Sequence, residues 1–371
     1  MEKSKVYYCD MRVSLGINTV QKMQKLMKKA GIEKIDFKNK FTAIKLHFGE
    51  PGNIAFLRPN FAKGVADVVK ELGGIPFLTD CSTLYPGRRK NAVEHLDAAM
   101  ENGFSPLSTG CQIIMGDGLK GTDEATLPVP GGVLLKEAKI GQVIADSDVI
   151  ISLNHFKGHE LTGIGGAIKN LGMGCASKAG KMVQHSEGKP NVITENCVGC
   201  KACAKQCAHE AITGVNHRAF IDHEKCVGCG RCIGACAFDA IANLYDASND
   251  DLNKKMTEYT AAILNGKPNF HINIVMDVSP SCDCNFQSDT PIIPDVGMFA
   301  SFDPVALDKA CADMCNKMPA NPGSLLAEKC KNHHHHDHFA AIAPDTNWIV
   351  CLEHGKVIGL GNTEYELIKI D

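Results

Sequence analysis

Apolar and polar positions along the chain predict strands and helices that follow one another in turn. Short apolar runs predict strands at residues 41–46, 75–78, 112–115, 148–153 and 270–276. Helical spacing of apolar residues predicts helices at residues 58–72, 90–102 and 250–265. Asp303 followed by Pro304 marks the start of another helix. Strands that alternate with helices indicate an α/β fold with a mainly parallel sheet and helices on its faces.

Polar residues cluster directly after these strands. Because ligands of such folds bind beyond the carboxyl ends of the strands, we expect the clusters to form one site. The candidates for catalysis are Lys157, His159, Lys169, His47, Cys282 and Asp283. The candidates for binding a cofactor or substrate are Lys45, Glu50, Asn53, Asp80, Gly163, Gly165, Gly166 and Asn170.

A glycine-rich segment precedes the helix that is predicted to carry Lys169 and Asn170. Gly163, Gly165 and Gly166 would expose backbone N–H groups at the helix N-terminus, and the lysine adds positive charge. Such a turn binds phosphate or carboxylate groups. The alternative is a turn that serves tight packing alone, because the full phosphate-loop pattern is absent.

Charged residues after the first two strands allow two interpretations. Lys45, His47 and Glu50 suit ligand contact or proton transfer, but they would equally form a salt-bridged strand end. Arg88 and Arg89 would clamp a carboxylate or phosphate with two hydrogen bonds, or form a solvated charge pair.

Cys282 and Cys284 flank Asp283 and form a C-x-C pair. This spacing is typical of a metal site or a redox pair, and it would also place a thiolate near an organic cofactor. The alternative is a pair of buried, inert thiols.

Composition changes the picture through its cysteines, which number 18 of 371 residues. The chain begins with charged residues instead of a signal peptide, so we expect a cytoplasmic protein whose cysteines bind metal and do not form disulfides. No apolar run approaches the roughly 20 residues that span a bilayer, so we expect no membrane segment. A net charge of -3, with no basic patch, argues against a nucleic-acid partner.

Eight of the cysteines lie in one short segment as two copies of C-x2-C-x2-C-x3-C. The first copy is Cys197, Cys200, Cys203 and Cys207, and the second is Cys226, Cys229, Cys232 and Cys236. The residues that flank the two copies repeat as well, so the segment is an internal duplication. A pair of zinc sites is the alternative, but quartets with three closely spaced cysteines fit iron–sulfur cubanes better than separated zinc-binding pairs.

The duplicated segment resembles a bacterial ferredoxin with two clusters. That resemblance implies crossed ligand sets, in which the fourth cysteine of each copy binds the other cluster. One [4Fe-4S] cluster would be held by Cys197, Cys200, Cys203 and Cys236, and the second by Cys226, Cys229, Cys232 and Cys207. The proline that usually follows the fourth cysteine is replaced by Ala208 and Ala237, which affects the local turn and not the ligands.

The chain as a whole resembles the family of iron–sulfur-centre proteins known as domain of unknown function 362. The resemblance rests on residues 45–53, 80–85, 157–172, 277–284, 296–308 and 359–367. It implies a cytoplasmic protein of anaerobic metabolism in bacteria or archaea. The predicted domains are a discontinuous α/β body, residues 1–188 and 246–371, and a ferredoxin insert, residues 189–245.

These features favour an iron–sulfur oxidoreductase. Its two clusters would pass electrons to a site in the body that binds a small anionic substrate or an organic cofactor, such as a flavin or nucleotide. The alternative is an electron carrier or binding module whose body only docks a redox partner protein, and a weaker alternative is an enzyme whose clusters are structural. The oligomeric state stays open.

Overall fold

The computed structural model describes residues 3–84, 87–185, 189–226, 228–243, 248–331 and 336–370. The strands are β1 Ser4–Cys9, β2 Phe41–Lys45, β3 Ile75–Thr79, β4 Gln112–Ile113, β5 Glu124–Pro128, β6 Glu137–Gly141, β7 Val149–His155, β8 Lys157–His159, β9 Gly163–Gly165, β10 Pro190–Val192, β11 Ile212–Val215, β12 Arg218–Ile221, β13 Ile241–Asn243, β14 Asn269–Val275, β15 Gly297–Ser301 and β16 Tyr365–Lys369. The helices are α1 Thr19–Ala30, α2 Pro59–Glu71, α3 Ala92–Glu101, α4 Pro106–Thr109, α5 Gln142–Asp146, α6 Ala167–Gly172, α7 Lys178–His185, α8 Ala202–Gln206, α9 Arg231–Ala235, α10 Asn249–Leu264, α11 Pro304–Cys315, α12 Leu325–Lys329, α13 His338–Ile342 and α14 Ile349–Val357.

A mixed sheet forms the centre of the body. Its strand order is β16-β1-β15-β14-β7-β2-β3-β4. Strands β14, β7, β2, β3 and β4 pair in parallel, whereas β15 runs antiparallel to both of its neighbours. The carboxyl ends of the central parallel strands therefore lie at one edge of the sheet. This architecture confirms the predicted α/β fold with a mainly parallel sheet.

The predicted elements are present with small shifts at their ends. The predicted helix at residues 58–72 is α2, that at 90–102 is α3, and that at 250–265 is α10. The predicted strand at residues 112–115 is shorter, since β4 has two residues. Asp303 caps α11 as expected, because its carboxylate accepts hydrogen bonds from the N–H groups of Val305 and Ala306.

Both faces of the sheet are covered by helices. Helices α1 and α2 pack on one face through residues such as Leu26 and Val65, which meet Ile44 and Ile151 of the sheet. On the other face, α6, α10, α11 and α14 pack on the sheet, in part through neighbouring strand residues such as Ala43 and Ile150. Adjacent strand residues thus point to opposite faces, as the pleat requires. Among the described residues, no helix has both the length and the apolar composition that crossing a bilayer needs.

The two cysteine copies share one backbone conformation. Gly199 and its counterpart Gly228 have φ of 70° and 71°, and Glu210 and its counterpart Asp239 have φ of 50° and 49°. Short helices α8 and α9 occupy equivalent positions, after residues that also have positive φ. The internal duplication seen in the sequence is therefore a structural duplication.

The limits of the insert stay a prediction. They fall at residues 186–188 and 244–247, which lie outside the described part of the chain. Within the described part, Leu84 and Met182 of the body belong to the same apolar cluster as Cys232 and Ile233 of the insert. The insert thus packs directly on the body.

Candidate functional site

A small cleft of about 40 Å³ lies at the carboxyl edge of the parallel strands. It is lined by Lys45, His47, Asp80, Cys81, Thr83, Arg89, Lys157, Gly166, Lys169, Asn170, Met173, Gly174, Lys181 and Cys284. Several of these residues are candidates that the sequence predicted. Most of them lie just after β2, β3 and β7 or in α6. The structure thus brings part of the predicted polar clusters together in one cleft.

Lys45 and Asp80 form the floor of the cleft as a buried ion pair. Their Nζ and Oδ1 atoms are 3.0 Å apart, and Lys45 Nζ also donates to Asn170 Oδ1 at 2.6 Å. Asn170 in turn donates to the backbone oxygens of Lys45 and Leu153, which joins α6 to β2 and β7. Burial alone would raise the pKa of Asp80, but Lys45 and His95 outweigh it and hold that pKa well below its usual value.

Arg89 forms one wall of the cleft and is almost completely buried, at 2% exposure. Its Nε donates to Glu50 Oε2 at 2.7 Å, and its Nη1 lies 2.9 Å from His47 Nε2. Burial and the guanidinium charge hold the pKa of His47 well below its usual value, so this imidazole stays neutral. Arg89 Nη2 is buried without a hydrogen-bond partner in the described part of the chain. A buried donor of this kind is costly unless a ligand accepts its hydrogen bond.

Lys157 also lines the cleft, and its side chain is held by residues that do not line the cleft. Its Nζ lies 3.0 Å from Asp283 Oδ2, and His155 Nδ1 lies 2.9 Å from Asp283 Oδ1. Burial would raise the pKa of Asp283, but His155 and Lys157 outweigh it and lower that pKa. Asp283 therefore acts behind the cleft wall as the counter-charge that positions Lys157.

Replacing Asp283 with asparagine should destabilise the protein by about 3 kcal/mol at pH 7, because buried Lys157 and its neighbour His155 would lose the carboxylate that they contact. Since the folded pKa of Asp283 is depressed, its contribution is present above about pH 4 and is lost as the pH falls further. The difference between wild type and Asp283→Asn should therefore shrink below pH 4. Thermal unfolding followed by fluorescence of Trp348, the only tryptophan, measures this. Asp289→Asn, at an exposed position, is the control, and a difference that is constant with pH would contradict the assignment.

Cys282 is held as a thiolate behind Cys284. A hydrogen bond from the Cys284 thiol lowers the pKa of Cys282, burial opposes this, and the charge of Lys169 lowers the pKa further, to well below its usual value. Lys169 Nζ lies 3.0 Å from Cys282 Sγ. The partner thiol behaves oppositely, because donating to Cys282 and being buried both raise the pKa of Cys284. The pKa values of the two thiols are therefore shifted in opposite directions.

The cleft wall carries a marked excess of positive charge. The lysines and arginine that line it are Lys45, Arg89, Lys157, Lys169 and Lys181, whereas Asp80 is the one carboxylate among the lining residues that the structure describes. Such a wall suits a ligand that carries a carboxylate or phosphate group.

The predicted anion site at the N-terminus of α6 is corrected by the structure. The carboxylate of Asp308 accepts hydrogen bonds from the N–H groups of Ala167 and Ile168 at 2.8 and 3.0 Å. A Cβ atom at Gly166 would lie 2.2 Å from Asp308 Oδ1, so the glycine is needed to admit this internal carboxylate. The amides that the sequence assigned to a ligand are therefore occupied by the chain itself, and α6 contributes its side chains to the cleft instead.

Other predicted residues lie next to the cleft without lining it. Glu50 and Asp283 support lining residues, His159 and Cys282 lie behind Cys284, and Asn53 donates to the backbone oxygen of Asn285. The remaining two are Gly163 and Gly165, in β9.

Sequence reasoning missed several lining residues. The sequence allows Arg88 and Arg89 the same two interpretations, an anion clamp or a solvated charge pair, but in the structure Arg88 pairs with exposed Glu101 while Arg89 enters the cleft. Lys181 and Thr83 gave no signal, because no local pattern marks a lysine or a threonine that tertiary packing turns inward.

The eight clustered cysteines line two separate pockets. One pocket is lined by Cys197, Cys200, Cys203 and Cys236, and the other by Cys207, Cys226, Cys229 and Cys232. Each pocket thus takes three cysteines from one copy and the fourth from the other copy. Backbone N–H groups of Ala219, Ala211 and Ala240 donate to the sulfurs of Cys197, Cys207 and Cys236 at 3.2–3.3 Å. Within the described ranges, no three Cys, His, Asp or Glu side chains converge closely enough to hold a single metal ion.

Lysines connect the insert to the cleft. Lys178 packs against Gly230, between Cys229 and Cys232, and its Nζ donates to the backbone oxygen of Lys90. Lys90 Nζ forms an ion pair with Asp239 of the insert at 2.7 Å. Lys181 lies one turn after Lys178 on α7 and lines the cleft. The pocket that contains Cys229 and Cys232 is thus joined to the cleft by a single short helix.

Residues 42–313 match the family described as Domain of unknown function (DUF362). The chain belongs to this DUF362 family. The match includes every residue that lines the cleft and all eight clustered cysteines, and it confirms the family resemblance seen in the sequence.

Solved structures resemble this DUF362 chain only distantly. A crystal structure of a Thermotoga maritima protein shares 16% identity over 79% of this chain and 57% of that one, with a TM-score of 0.41. The lactate racemase apoprotein from Thermoanaerobacterium thermosaccharolyticum shares 10% identity over 74% of this chain and 51% of that one, with a TM-score of 0.33. The DUF362 chain thus spans little more than half the length of these proteins. No curated protein matches its sequence.

Proposed function

We propose that this protein is an iron–sulfur oxidoreductase that holds two [4Fe-4S] clusters in the insert and reduces or oxidises an anionic ligand in the cleft. The observation that carries the proposal is the crossed lining of the two cysteine pockets. A bacterial-type two-cluster ferredoxin requires this crossing, whereas two independent zinc sites would each use the cysteines of one copy.

The residues present fit the cubane clusters. Four cysteines line each pocket, and N–H groups donate to three of these sulfurs, an arrangement that stabilises charge on thiolate ligands. A cubane separates its four cysteine sulfurs more widely than a single ion does, which agrees with the absence of a single-ion site in the described residues. When bound, the clusters would supply single electrons.

The cleft in the α/β body is the site at which the ligand would exchange electrons with the clusters. The cleft presents buried cations and an unpartnered guanidinium N–H, which suit a carboxylate or phosphate on a substrate or on an organic cofactor such as a flavin or nucleotide. The contact of Lys178 with the second cysteine copy brings the insert close to this cleft. An electron carrier whose body only docks a partner has no need of such a cleft, so the enzyme is the better explanation.

The proposal is tested on protein purified without oxygen. We expect about eight iron and about eight sulfide per chain, and two interacting paramagnetic signals after reduction. Adding an excess of an anionic electron acceptor should leave the iron content unchanged, and the acceptor should take the electrons of the reduced clusters. Zinc in place of iron, or iron without sulfide, would overturn the proposal.

The surface around Cys200 suits a redox partner protein. Cys200 is exposed, and the pocket beside it is rimmed by Lys201, His217, Arg218 and the exposed Phe238, with no Asp or Glu among the described lining residues. An apolar centre with a positive rim is complementary to an acidic electron-carrier protein. We propose that such a carrier exchanges electrons with the protein at this surface.

Reversing charge at this rim, with Lys201→Glu and Arg218→Glu together, should slow reduction by an acidic ferredoxin about tenfold at low salt, because electrostatic steering is lost. The difference should disappear at high salt, and reduction by dithionite should be unchanged. Stopped-flow absorbance measures both rates. Lys254→Glu on α10 is the control, and equal slowing by both variants would refute this docking surface.

A further inference from the structure

The Cys282–Cys284 pair occupies a chemically distinctive position at the cleft. Cys284 lines the cleft, whereas Cys282 lies directly behind it and is completely buried. The Cys284 thiol donates to Cys282, and the Cys284 N–H lies 3.4 Å from Cys282 Sγ. The two sulfurs are therefore neighbours, of which one lines the ligand space and the other is buried in the protein.

Lys169 stabilises negative charge on the inner sulfur. Its Nζ atom lies 3.0 Å from Cys282 Sγ, so Cys282 has a charged donor that an inert core thiol would not need. His159 lies nearby: its Nδ1 accepts hydrogen bonds from the N–H groups of Leu161 and Thr162, and its buried Nε2 has no hydrogen-bond partner in the described part of the chain.

We propose that Cys282 and Cys284 form a dithiol–disulfide couple that reduces a small disulfide bearing a carboxylate or phosphate group. This inference rests on the proposed function for one step, since the clusters would return the couple to its reduced form. The substrate class follows from the two properties of the cleft: a dithiol exchanges with disulfides, and the cationic wall selects those with an anionic substituent.

The cycle of exchange between the dithiol and the substrate disulfide has three steps. Cys284 transfers its proton to Cys282 and attacks one substrate sulfur, so a Cys284–substrate disulfide forms, the substrate S–S bond breaks, and one substrate thiolate leaves. Cys282 then passes that proton to a departing thiolate and attacks Cys284, which forms the Cys282–Cys284 disulfide and releases the second half of the substrate. Two electrons, one from each reduced cluster, and one proton restore the Cys284 thiol and the Cys282 thiolate.

The test exposes the reduced, anaerobic protein to 3,3′-dithiodipropionate, whose two ends are carboxylates, and to the neutral 2-hydroxyethyl disulfide as the matched probe. Peptide mass spectrometry should show loss of about two hydrogen masses, from formation of one disulfide, in the peptide that contains Cys282 and Cys284. We expect the anionic reagent to react at least about tenfold faster, because the neutral reagent gains nothing from the cationic wall. Equal rates, or no disulfide in this peptide, would overturn the inference.

Single variants identify the order of attack. Cys282→Ser should trap the reagent as a mixed disulfide on Cys284, because the resolving thiol is missing. Cys284→Ser should leave Cys282 unmodified, since the buried sulfur does not reach the cleft. Cys330→Ser, a half-exposed cysteine of the body outside the cleft, is the control and should behave as wild type. A trapped adduct on Cys282 in Cys284→Ser would reverse the assigned roles and refute the mechanism.

The failure of this inference is distinguishable from that of the proposed function. Formation of the Cys282–Cys284 disulfide needs no iron, whereas its reduction by a low-potential carrier protein requires the clusters. If the disulfide never forms but iron and paramagnetic signals are present, only the dithiol couple is wrong. If it forms and the carrier reduces it equally well after removal of a cluster, the couple stands and the electron path is wrong.

Discussion

Replacing Cys232 with serine should remove about four of the about eight iron atoms bound per chain, because one cubane loses a thiolate ligand. The crossed pockets make this expectation specific. Cys207→Ser should remove the same cluster, although Cys207 belongs to the other copy in the sequence, whereas Cys236→Ser should remove the other cluster. Iron analysis and paramagnetic resonance of the reduced variants measure the result.

The control for this series is Cys330→Ser, which removes a half-exposed thiol outside both cysteine pockets. It should keep the full iron content and both paramagnetic signals. The decisive comparison is the remaining signal in Cys207→Ser and Cys232→Ser. Identical spectra in these two variants are expected, and spectra that pair Cys232 with Cys236 would show that the ligand sets are not crossed.

Replacing Arg89 with methionine should weaken binding of a small anion about 100-fold, because the guanidinium would contribute a charge-assisted hydrogen bond from Nη2. The same change should lower stability by about 3 kcal/mol, because Glu50 would stay buried without its partner. Calorimetric titration with succinate or inorganic phosphate measures affinity, and thermal unfolding measures stability. Arg89→Lys separates the two effects, since it keeps the charge near Glu50 but loses the forked donor.

The neighbouring Arg88 provides a matched control for this experiment. It is exposed, pairs with Glu101 and does not line the cleft. Arg88→Met should change affinity by less than about twofold and stability by less than about 0.5 kcal/mol. Equal losses of affinity in the two variants would show that general surface charge, and not the cleft, attracts the anion.

If Arg89→Met lowers stability as expected but leaves the affinity for the anion unchanged, Arg89 does not bind the ligand. The Arg89–Glu50 pair would then serve only to hold the segment after β3 against the segment after β2. In that case the salt-bridged strand end that the sequence allowed for Glu50 would be the correct interpretation of this wall.

Local patterns in the sequence were sufficient for the elements and for the cysteine copies. Apolar periodicity depends on near neighbours in the chain, so it located helices such as α2 and strands such as β7 within about two residues. The spacing of the cysteines is equally local, and it predicted the duplication that the backbone angles show. Polar residues after the parallel strands also had to meet, because strands that run in one direction end at one edge.

Two features depended on the tertiary structure: the direction of β15, and which side chains contact one another at the cleft. Cys282 meets Lys169 across 113 residues of chain, and Arg89 meets His47 across 42. Asp308 on α11 reaches the N-terminus of α6, which no pattern near the glycines predicted. The periodicity of the sequence determined which residues follow the strands, because periodicity depends on the local geometry of helices and strands. Only packing decided which charges meet there, because a buried charge takes whichever partner the fold brings within hydrogen-bond distance.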